Sequence, residues 1–385
     1  MEVDLSTLAA HAGARHEHGG PSATPIHPAS FYLSAGDPAD VPYAYGRHGN
    51  PTWEALESAL GQLESARALV FASGQAASLA LVLALATGAT TTAVAASPGG
   101  ASLGARRRFV LPHDGYYGTR KLADLLRPLG IEPVIVDMTE LVSVERALTA
   151  APSVLWAESP TNPYLRVLDL RALATLAKGA GSPFVVDNTT ATAALQRPLD
   201  LGADATITSL TKAVSGHSDV VLGAIATRKD SIYDAARNWR ANAGLIAGPF
   251  EAWAALRGLK TLPLRLARQS ESALALAEHL VTHPKVARVH HPAVDPRSRA
   301  LAERQMSGGF GPLLSFEVRG GADEADRVVA AARLIRPGTS FGGVESSWER
   351  RARWTSETAP PNLIRLSVGI EAVADLSDDL DRALA

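Results

Sequence analysis

Short apolar runs alternate with amphipathic segments between residues 68 and 226. Seven of these runs have the length and the β-rich composition of buried strands; they are residues 69–71, 109–111, 134–136, 154–156, 184–186, 205–207 and 222–225. Segments rich in Ala, Leu and Arg, such as 121–129 and 168–178, lie between them. This alternation predicts an α/β fold with a mostly parallel seven-stranded sheet flanked by helices.

A different pattern follows residue 250. An Ala- and Leu-rich helical stretch covers residues 264–280, and the runs at 314–318 and 364–368 have the character of strands. Residues 1–50 are instead rich in Gly, Pro, His and Ser, which is typical of an extended arm. We therefore predict three parts, which are an N-terminal arm (1–53), an α/β domain (54–250) and a smaller C-terminal α+β domain (251–385).

One stretch without charged side chains, between Arg67 and Arg106, raises the question of a membrane span. Clusters of Gly, Ser, Thr and Pro interrupt it and leave only residues 76–86 as a continuous, mostly apolar piece, which predicts a buried helix. Residues 88–108 have the composition of an inserted loop of unknown role. The N-terminus lacks a basic segment followed by an apolar one, which favours the cytoplasm.

The bulk composition excludes several classes of function. The 385 residues carry a net charge of −2, so no general electrostatic field attracts nucleic acid or an anionic membrane. The absence of cysteine excludes disulfides, thiolate nucleophiles and cysteine-ligated zinc, and we expect no metal site. It leaves the redox compartment undetermined.

A lysine directly after a predicted strand is the first candidate for chemistry. Lys212 follows the run at 205–208, and Ser209 and Thr211 place hydroxyl groups beside it. Ligands of α/β sheets bind at the carboxyl ends of strands, so this segment could hold a phosphate next to an amine. A solvated surface lysine is the alternative interpretation.

Two other strand ends carry polar groups. Asp187 ends the run at 184–186 and could pair with a protonated ring nitrogen, although a helix cap is the alternative. Ser73, Gly74 and Gln75 connect a strand to an Ala-rich helix, whose first amides could bind an anion. An ordinary strand-to-helix turn would have the same sequence.

An ordered set of motifs extends this pattern over nearly the whole chain. The motifs are YAYGRHGNPT at 43–52, SGQ at 73–75, ESPTNP at 158–163, VDNT at 186–189, SLTK at 209–212, SFGGVES at 340–346 and RLSVG at 365–369. With them the chain resembles the Cys/Met-metabolism family of fold-type-I enzymes that depend on pyridoxal 5'-phosphate (PLP). That family includes cystathionine γ-synthases, cystathionine γ- and β-lyases and methionine γ-lyases. The resemblance implies PLP as cofactor and a small amino acid as substrate.

The resemblance assigns three residues to catalysis. Lys212 would hold PLP covalently and then move protons between substrate carbons, and Asp187 would pair with the ring nitrogen. Tyr116 would stack on the ring and give a proton to the departing thiol; Tyr117 competes for this role, and a core tyrosine is the alternative. The cofactor would also contact Ser73, Gly74, Gln75, Glu158, Asn162, Ser209 and Thr211.

Other implied contacts involve the arm and the C-terminal domain. Tyr45 and Arg47 would reach the phosphate in a neighbouring subunit, which implies a homo-oligomer and, by family habit, a dimer of dimers. Arg365 would clamp the substrate α-carboxylate, with Ser340 nearby and Lys121 facing a distal carboxylate. Ordinary surface positions are the alternative for these arginines and for Lys121.

The outer pocket would distinguish the branches of the family. Glu345 resembles a glutamate of the γ-synthases and γ-lyases that interacts with a substrate amino group; a solvated loop acid is the alternative. Methionine γ-lyases carry a cysteine at the position of Gly118. Tyr117 stands where family members usually have glycine, and Phe341 where many have leucine, so both would narrow the mouth of the site. Residues 346–354 are unusually basic and aromatic.

These features favour γ-elimination of L-cystathionine, which gives cysteine, 2-oxobutanoate and ammonia. γ-Replacement on an activated homoserine and methionine γ-lyase chemistry are alternatives within the family. A non-catalytic PLP-binding protein is the alternative outside it, and the presence of Lys212, Asp187, Tyr116 and Arg365 argues against that class. The sequence does not separate elimination from replacement.

Overall fold

A seven-stranded sheet forms the centre of the larger part of the molecule. The computed structural model describes residues 3–13, 18–87 and 107–385, so most of the segment at 88–108 lies outside the described residues. The strands of this sheet are β1 (Arg67–Phe71), β2 (Arg108–Pro112), β3 (Glu132–Val136), β4 (Ser153–Glu158), β5 (Phe184–Asp187), β6 (Ala205–Thr208) and β7 (Gly223–Thr227). Each of the seven predicted runs is confirmed as a strand.

The strands of this sheet lie in the order β1-β7-β6-β5-β4-β2-β3. β7 is antiparallel to both of its neighbours, whereas β6, β5, β4, β2 and β3 pair in parallel. The prediction of a mostly parallel sheet is therefore confirmed. Because parallel strands end at the same edge of a sheet, the residues after β1, β2, β4, β5 and β6 converge there.

Helices cover both faces of this sheet and one face of a second, smaller sheet. The helices of the described residues are α1 (Leu5–Ala10), α2 (Pro51–Glu64), α3 (Gly74–Thr87), α4 (Tyr117–Leu125), α5 (Leu141–Ala150), α6 (Leu170–Gly179), α7 (Thr192–Leu195), α8 (Asp230–Ala243), α9 (Pro249–Leu259), α10 (Leu262–Val281), α11 (Pro296–Gln305), α12 (Ala322–Ala331) and α13 (Val373–Leu384). None of them has the length and hydrophobicity needed to cross a membrane.

Burial on both faces explains why the strands are almost uninterrupted apolar runs. Val70 packs into one core cluster with Leu56 of α2, whereas its neighbour Leu69 packs into the opposite cluster with Leu81 of α3. The helix predicted over residues 76–86 is α3, and its Ala and Leu side chains are mostly buried. Each fully buried Leu contributes about 1.5–3 kcal/mol to the stability of the folded protein. Packing on both faces therefore holds the sheet, and with it the edge where the strands end, in a fixed position.

The second sheet has five strands in the order β10-β11-β12-β9-β8. They are β8 (Val286–His290), β9 (Leu313–Val318), β10 (Arg336–Pro337), β11 (Ser347–Arg350) and β12 (Leu363–Ser367). α10 packs on this sheet and corresponds to the helix predicted at 264–280. The division into 1–53, 54–250 and 251–385 stays a prediction; its boundaries fall in the first turns of α2 and α9.

Candidate active site

A cavity of about 310 Å³ lies at the edge of the large sheet where the parallel strands end. Strand-end residues of the larger sheet form one side, and the C-terminal part of the chain forms the other. The predicted site residues that line it are Ser73, Gly74, Gln75, Tyr116, Glu158, Asn162, Asp187, Ser209, Thr211, Lys212, Ser340 and Arg365. The fold thus brings together groups that are separated by almost 300 residues in sequence.

Lys212 lies in the turn that follows β6. Its Nζ atom donates a hydrogen bond to the Oγ of Ser340 at 2.7 Å and lies 5.3 Å from the centre of the Phe341 ring. Burial, together with the nearby positive charge of Arg365, lowers the pKa of Lys212 from 10.5 to about 8. The amine is therefore easier to deprotonate than a surface lysine, as a nucleophile or base requires.

Two buried carboxyl groups lie at the ends of neighbouring strands. Glu158 ends β4 and Asp187 ends β5, and the two residues are paired across the sheet. Glu158 accepts hydrogen bonds from the backbone N–H groups of Tyr116 (2.6 Å) and Asn162 (2.8 Å), so it joins the two loops that carry them. Burial, and for Glu158 also the charge of Asp187, raises the pKa of both carboxyl groups.

Asp187 has one partner that orients its carboxyl group. The backbone N–H of Thr189 donates to its Oδ1 at 3.0 Å. Among the described residues no cationic side chain forms an ion pair with it. Because a buried carboxylate without a cation is costly, this position favours a ligand that brings a positive charge, such as a protonated ring nitrogen.

The turn from β1 into α3 lies against the turn from β6 to Lys212. Ser73 caps α3 by accepting a hydrogen bond from the N–H of Ala76 at 3.0 Å. A Cβ atom on Gly74 would lie 3.1 Å from the Cβ of Ser209, so glycine permits this close approach. The hydroxyl of Thr211 is engaged with the backbone of Leu222. An anion at this helix N-terminus would therefore lie between the two turns.

Tyr116 stands directly before α4, and its ring faces the cavity with Tyr117 beside it. The two ring centres are 5.1 Å apart. Burial raises the pKa of the Tyr116 hydroxyl, which therefore stays protonated at neutral pH and can act as a proton donor. A Cβ on Gly118 would lie 2.6 Å from Cζ and 2.9 Å from Oη of Tyr116. Any side chain at this position would therefore have to displace the Tyr116 ring.

Gly118→Ala should displace the Tyr116 ring. Overpacking of this kind costs about 1–3 kcal/mol in stability, and a displaced ring should lower kcat/KM by about 10- to 100-fold. Thermal unfolding and steady-state kinetics measure the two effects. Gly179→Ala is the matched control, because a Cβ at that helical glycine meets no atom within 4 Å. Unchanged kinetics in Gly118→Ala would show that the ring position does not matter.

Arg365, on β12, enters the cavity from the smaller sheet. It is 3 % exposed, and it donates to Asn162 Oδ1 (3.0 Å), to the Ser340 carbonyl (2.7 Å) and to Glu349 Oε1 (2.8 Å). Ser340 has a φ of +82°, in the left-handed region that is costly for a non-glycine residue. This conformation lets Ser340 accept from Lys212 through its hydroxyl and from Arg365 through its carbonyl.

Four of the predicted site residues do not line the cavity within a single chain. Glu345 is exposed and pairs with Arg336 at 3.1 Å, and Lys121 lies 5.4 Å from the centre of the Tyr117 ring without lining the cavity. Arg47 donates to the Ala241 carbonyl, and Tyr45 is 46 % exposed. The predicted contacts of Glu345 and Lys121 with substrate stay predictions. The roles of Tyr45 and Arg47 require a second chain and stay predictions.

Two site residues were missed by sequence reasoning. Arg351 lines the cavity, and Glu349 lies behind it and receives hydrogen bonds from both Arg351 and Arg365. The unusual basic and aromatic character of residues 346–354 was the available signal. It did not show which of the three arginines of this segment points inward.

The donor set of the cavity fits PLP. An amine with a lowered pKa (Lys212), a buried carboxyl group without a cation (Asp187) and a helix N-terminus (α3) are placed around one space. These groups match an aldehyde, a ring nitrogen and a phosphate, respectively. In addition, the Nε of Arg365 is a buried donor without a protein acceptor, which a substrate carboxylate would satisfy.

Comparisons with known proteins agree with this chemistry. Residues 6–385 match the family model described as Cys/Met metabolism PLP-dependent enzyme. A putative cystathionine γ-lyase of Streptomyces coelicolor is 41 % identical over 366 residues, which cover 94 % of this chain and 88 % of that protein. Related proteins are also named cystathionine γ-synthase and cystathionine β-lyase.

Two solved structures share the fold along the whole chain. The cystathionine γ-synthase of Xanthomonas oryzae pv. oryzae in complex with cystathionine superimposes with a TM-score of 0.91 at 34 % identity, covering 100 % of this chain and 98 % of the other. A methionine γ-lyase of Micromonospora echinospora gives a TM-score of 0.87 at 38 % identity, covering 100 % and 99 %. The fold is therefore that of fold-type-I PLP enzymes. From its motifs, its architecture and these matches, the chain belongs to the Cys/Met-metabolism family of PLP-dependent enzymes.

Proposed function

We propose that the protein catalyses γ-elimination of L-cystathionine, in which water is consumed and cysteine, 2-oxobutanoate and ammonia are formed. The observation that carries the proposal is the placement of Lys212, Tyr116, Asp187 and Arg365 around one cavity. A base, an acid, a carboxyl group for the ring nitrogen and a carboxylate-binding cation are the groups that the reaction needs. The similarity to the S. coelicolor protein supports the choice of a γ-lyase.

Each side chain has a role that follows from its surroundings. When bound, PLP supplies an electron sink for the electrons released at Cα of the substrate. Arg365 orients the α-carboxylate, with Asn162 and the Ser340 carbonyl fixing the guanidinium plane. Lys212, whose pKa is about 8, takes the proton from Cα and returns protons to the carbon chain. Tyr116 is placed to protonate the departing sulfur.

The phosphate-binding side of the proposal involves both this chain and a second copy. Ser73, Gly74, Gln75, Ser209 and Thr211 surround the N-terminus of α3. Exposed apolar side chains occur on the arm, with Leu33 94 % and Phe31 65 % exposed, and Val221 at the cavity is 60 % exposed. Such surface favours burial against another subunit. We infer a homo-oligomer, a dimer of dimers, in which Tyr45 and Arg47 of one copy reach the site of the next.

Replacement chemistry is the second candidate. The close structural similarity to a cystathionine γ-synthase supports it, and elimination and replacement share the same cavity residues. Methionine γ-lyase chemistry is less favoured because this chain has Gly118 where methionine γ-lyases carry a cysteine. Cytoplasmic location remains a prediction.

A substrate panel tests the proposed activity. The purified holoenzyme is assayed for oxo-acid release from L-cystathionine, L-homocysteine, L-methionine and O-succinyl-L-homoserine, the last with and without L-cysteine. We expect kcat/KM to be highest for cystathionine. Oxo-acid release from methionine but not from cystathionine would contradict the proposal, and cystathionine formation from O-succinylhomoserine and cysteine as the faster reaction would establish the synthase alternative.

A further inference from the structure

Four buried residues at the cavity wall form an arginine–glutamate cluster, defined here as Glu349, Arg351, Glu357 and Arg365. Glu349 Oε1 accepts from Arg365 at 2.8 Å and from Arg351 at 2.5 Å, and Arg351 also donates to Glu357 at 2.6 Å. The four side chains are 1–4 % exposed. Because each guanidinium is held by a carboxylate, both are fixed in position.

The cluster turns its positive groups toward the cavity. Arg351 and Arg365 line the cavity, whereas Glu349 and Glu357 do not. Arg353 also contacts Glu349, so three arginines face two glutamates and one positive charge is in excess. Its effect reaches the chemistry, because Arg351 contributes to the lowered pKa of Lys212 and partly opposes the rise that burial causes in the pKa of Tyr116.

Both guanidiniums retain a donor that the protein does not satisfy. The Nε atoms of Arg351 and Arg365 are buried and have no hydrogen-bond partner among the described residues. Buried donors are almost always paired in the functional state of a protein. One α-carboxylate accounts for the donor of Arg365. The donor of Arg351, which lies 5.9 Å from the Tyr117 ring, calls for another acceptor in the ligand.

We propose that Arg351 binds a carboxylate at the distal end of the substrate, so that the site selects amino acids with a second anionic group. This inference rests on the proposed function, in which Arg365 binds the α-carboxylate. Cystathionine and succinylated homoserine carry such a distal carboxylate, whereas methionine ends in a methyl group. Arg351 is therefore a specificity-determining residue, with the role that the sequence analysis gave to Lys121.

Binding of two unreactive amino acids of equal chain length tests this role. L-2-Aminopimelate ends in a carboxylate and L-2-aminoheptanoate ends in a methyl group, and neither has a leaving group. Calorimetric titration of the holoenzyme gives Kd for each. We expect aminopimelate to bind about 10- to 100-fold more tightly, as for a charge-assisted hydrogen bond. Arg351→Leu should remove this difference between the two probes, whereas Arg351→Lys should keep part of it.

Arg353→Leu is the matched control, since Arg353 also contacts Glu349 but is 42 % exposed and does not line the cavity. It should preserve the preference for aminopimelate. Equal affinities of the two probes for the wild-type protein would overturn the role of Arg351 and leave the proposed function standing, and this comparison does not depend on the folding of any variant. Failure of both probes to bind would overturn the proposed function as well. Retention of the full preference in Arg351→Leu would also refute the inference.

Discussion

Lys212→Ala is expected to abolish covalent attachment of PLP and to lower kcat/KM by about 1,000-fold or more. The lysine supplies both the amine that holds the cofactor and the base that moves protons, and among the described residues the cavity is lined by no other lysine. Borohydride reduction followed by peptide mass spectrometry identifies the attachment site. In the wild-type protein the label should be found on Lys212.

The lowered pKa of Lys212 provides a second readout, which is the pH dependence of PLP uptake. Burial lowers the pKa to about 8, so the neutral and reactive amine increases as the pH rises from 7 through 8, and the rate of cofactor uptake by PLP-free protein should rise over that range. A surface lysine would show this rise near its ordinary value of 10.5 instead. Lys229→Ala, on an exposed lysine paired with Asp204, is the control and should leave both readouts unchanged. A label on a different lysine would refute the assignment.

Asp187→Asn should reduce kcat/KM by about 100- to 1,000-fold, as the loss of one member of a buried charge pair predicts. The amide keeps the size of the carboxyl group, and its Oδ1 can still accept from Thr189, so the fold should persist. It cannot stabilise a protonated ring nitrogen. We therefore expect PLP still to bind, while its absorbance and fluorescence spectra lose the features of the protonated ring.

Asp230→Asn provides the comparison for this variant, because Asp230 is an exposed aspartate that pairs with Arg67 on the surface. It should keep wild-type kinetics and spectra. Wild-type activity in Asp187→Asn would show that the carboxyl group is not needed at the ring nitrogen. A large loss of thermal stability in the PLP-free variant would instead assign Asp187 to the folding of the strand edge.

The backbone of Ser340 links the two halves of the site. Its left-handed conformation directs the hydroxyl to Lys212 and the carbonyl to Arg365, which come from different sheets. Gly342, two residues after Ser340, has a φ of +80°, and a Cβ there would lie 2.5 Å from the backbone nitrogen of Ala213. The loop at 340–342 therefore fits directly against the lysine turn. This contact fixes the distance between the proton-transferring amine and the carboxylate-binding arginine.

The sequence determined the larger sheet and one side of the cavity. Strands buried on both faces must be apolar throughout, so runs such as 184–186 and 205–207 were visible without any structure. Since parallel strands end at one edge, Asp187 and Lys212 could be placed near each other from their positions alone. The short helix α1 inside the predicted arm was missed, because six residues give too little periodicity.

Only the tertiary structure decided the other side of the cavity. Glu345 and Arg351 are six positions apart in one polar segment, and no periodicity showed that the first faces solvent and the second is buried. That outcome depends on the path of the loop at 340–346 and on Glu349 and Glu357, whose carboxylates hold Arg351 in place. The direction of a side chain in an irregular segment is set by long-range contacts, and these contacts cannot be predicted from a single sequence.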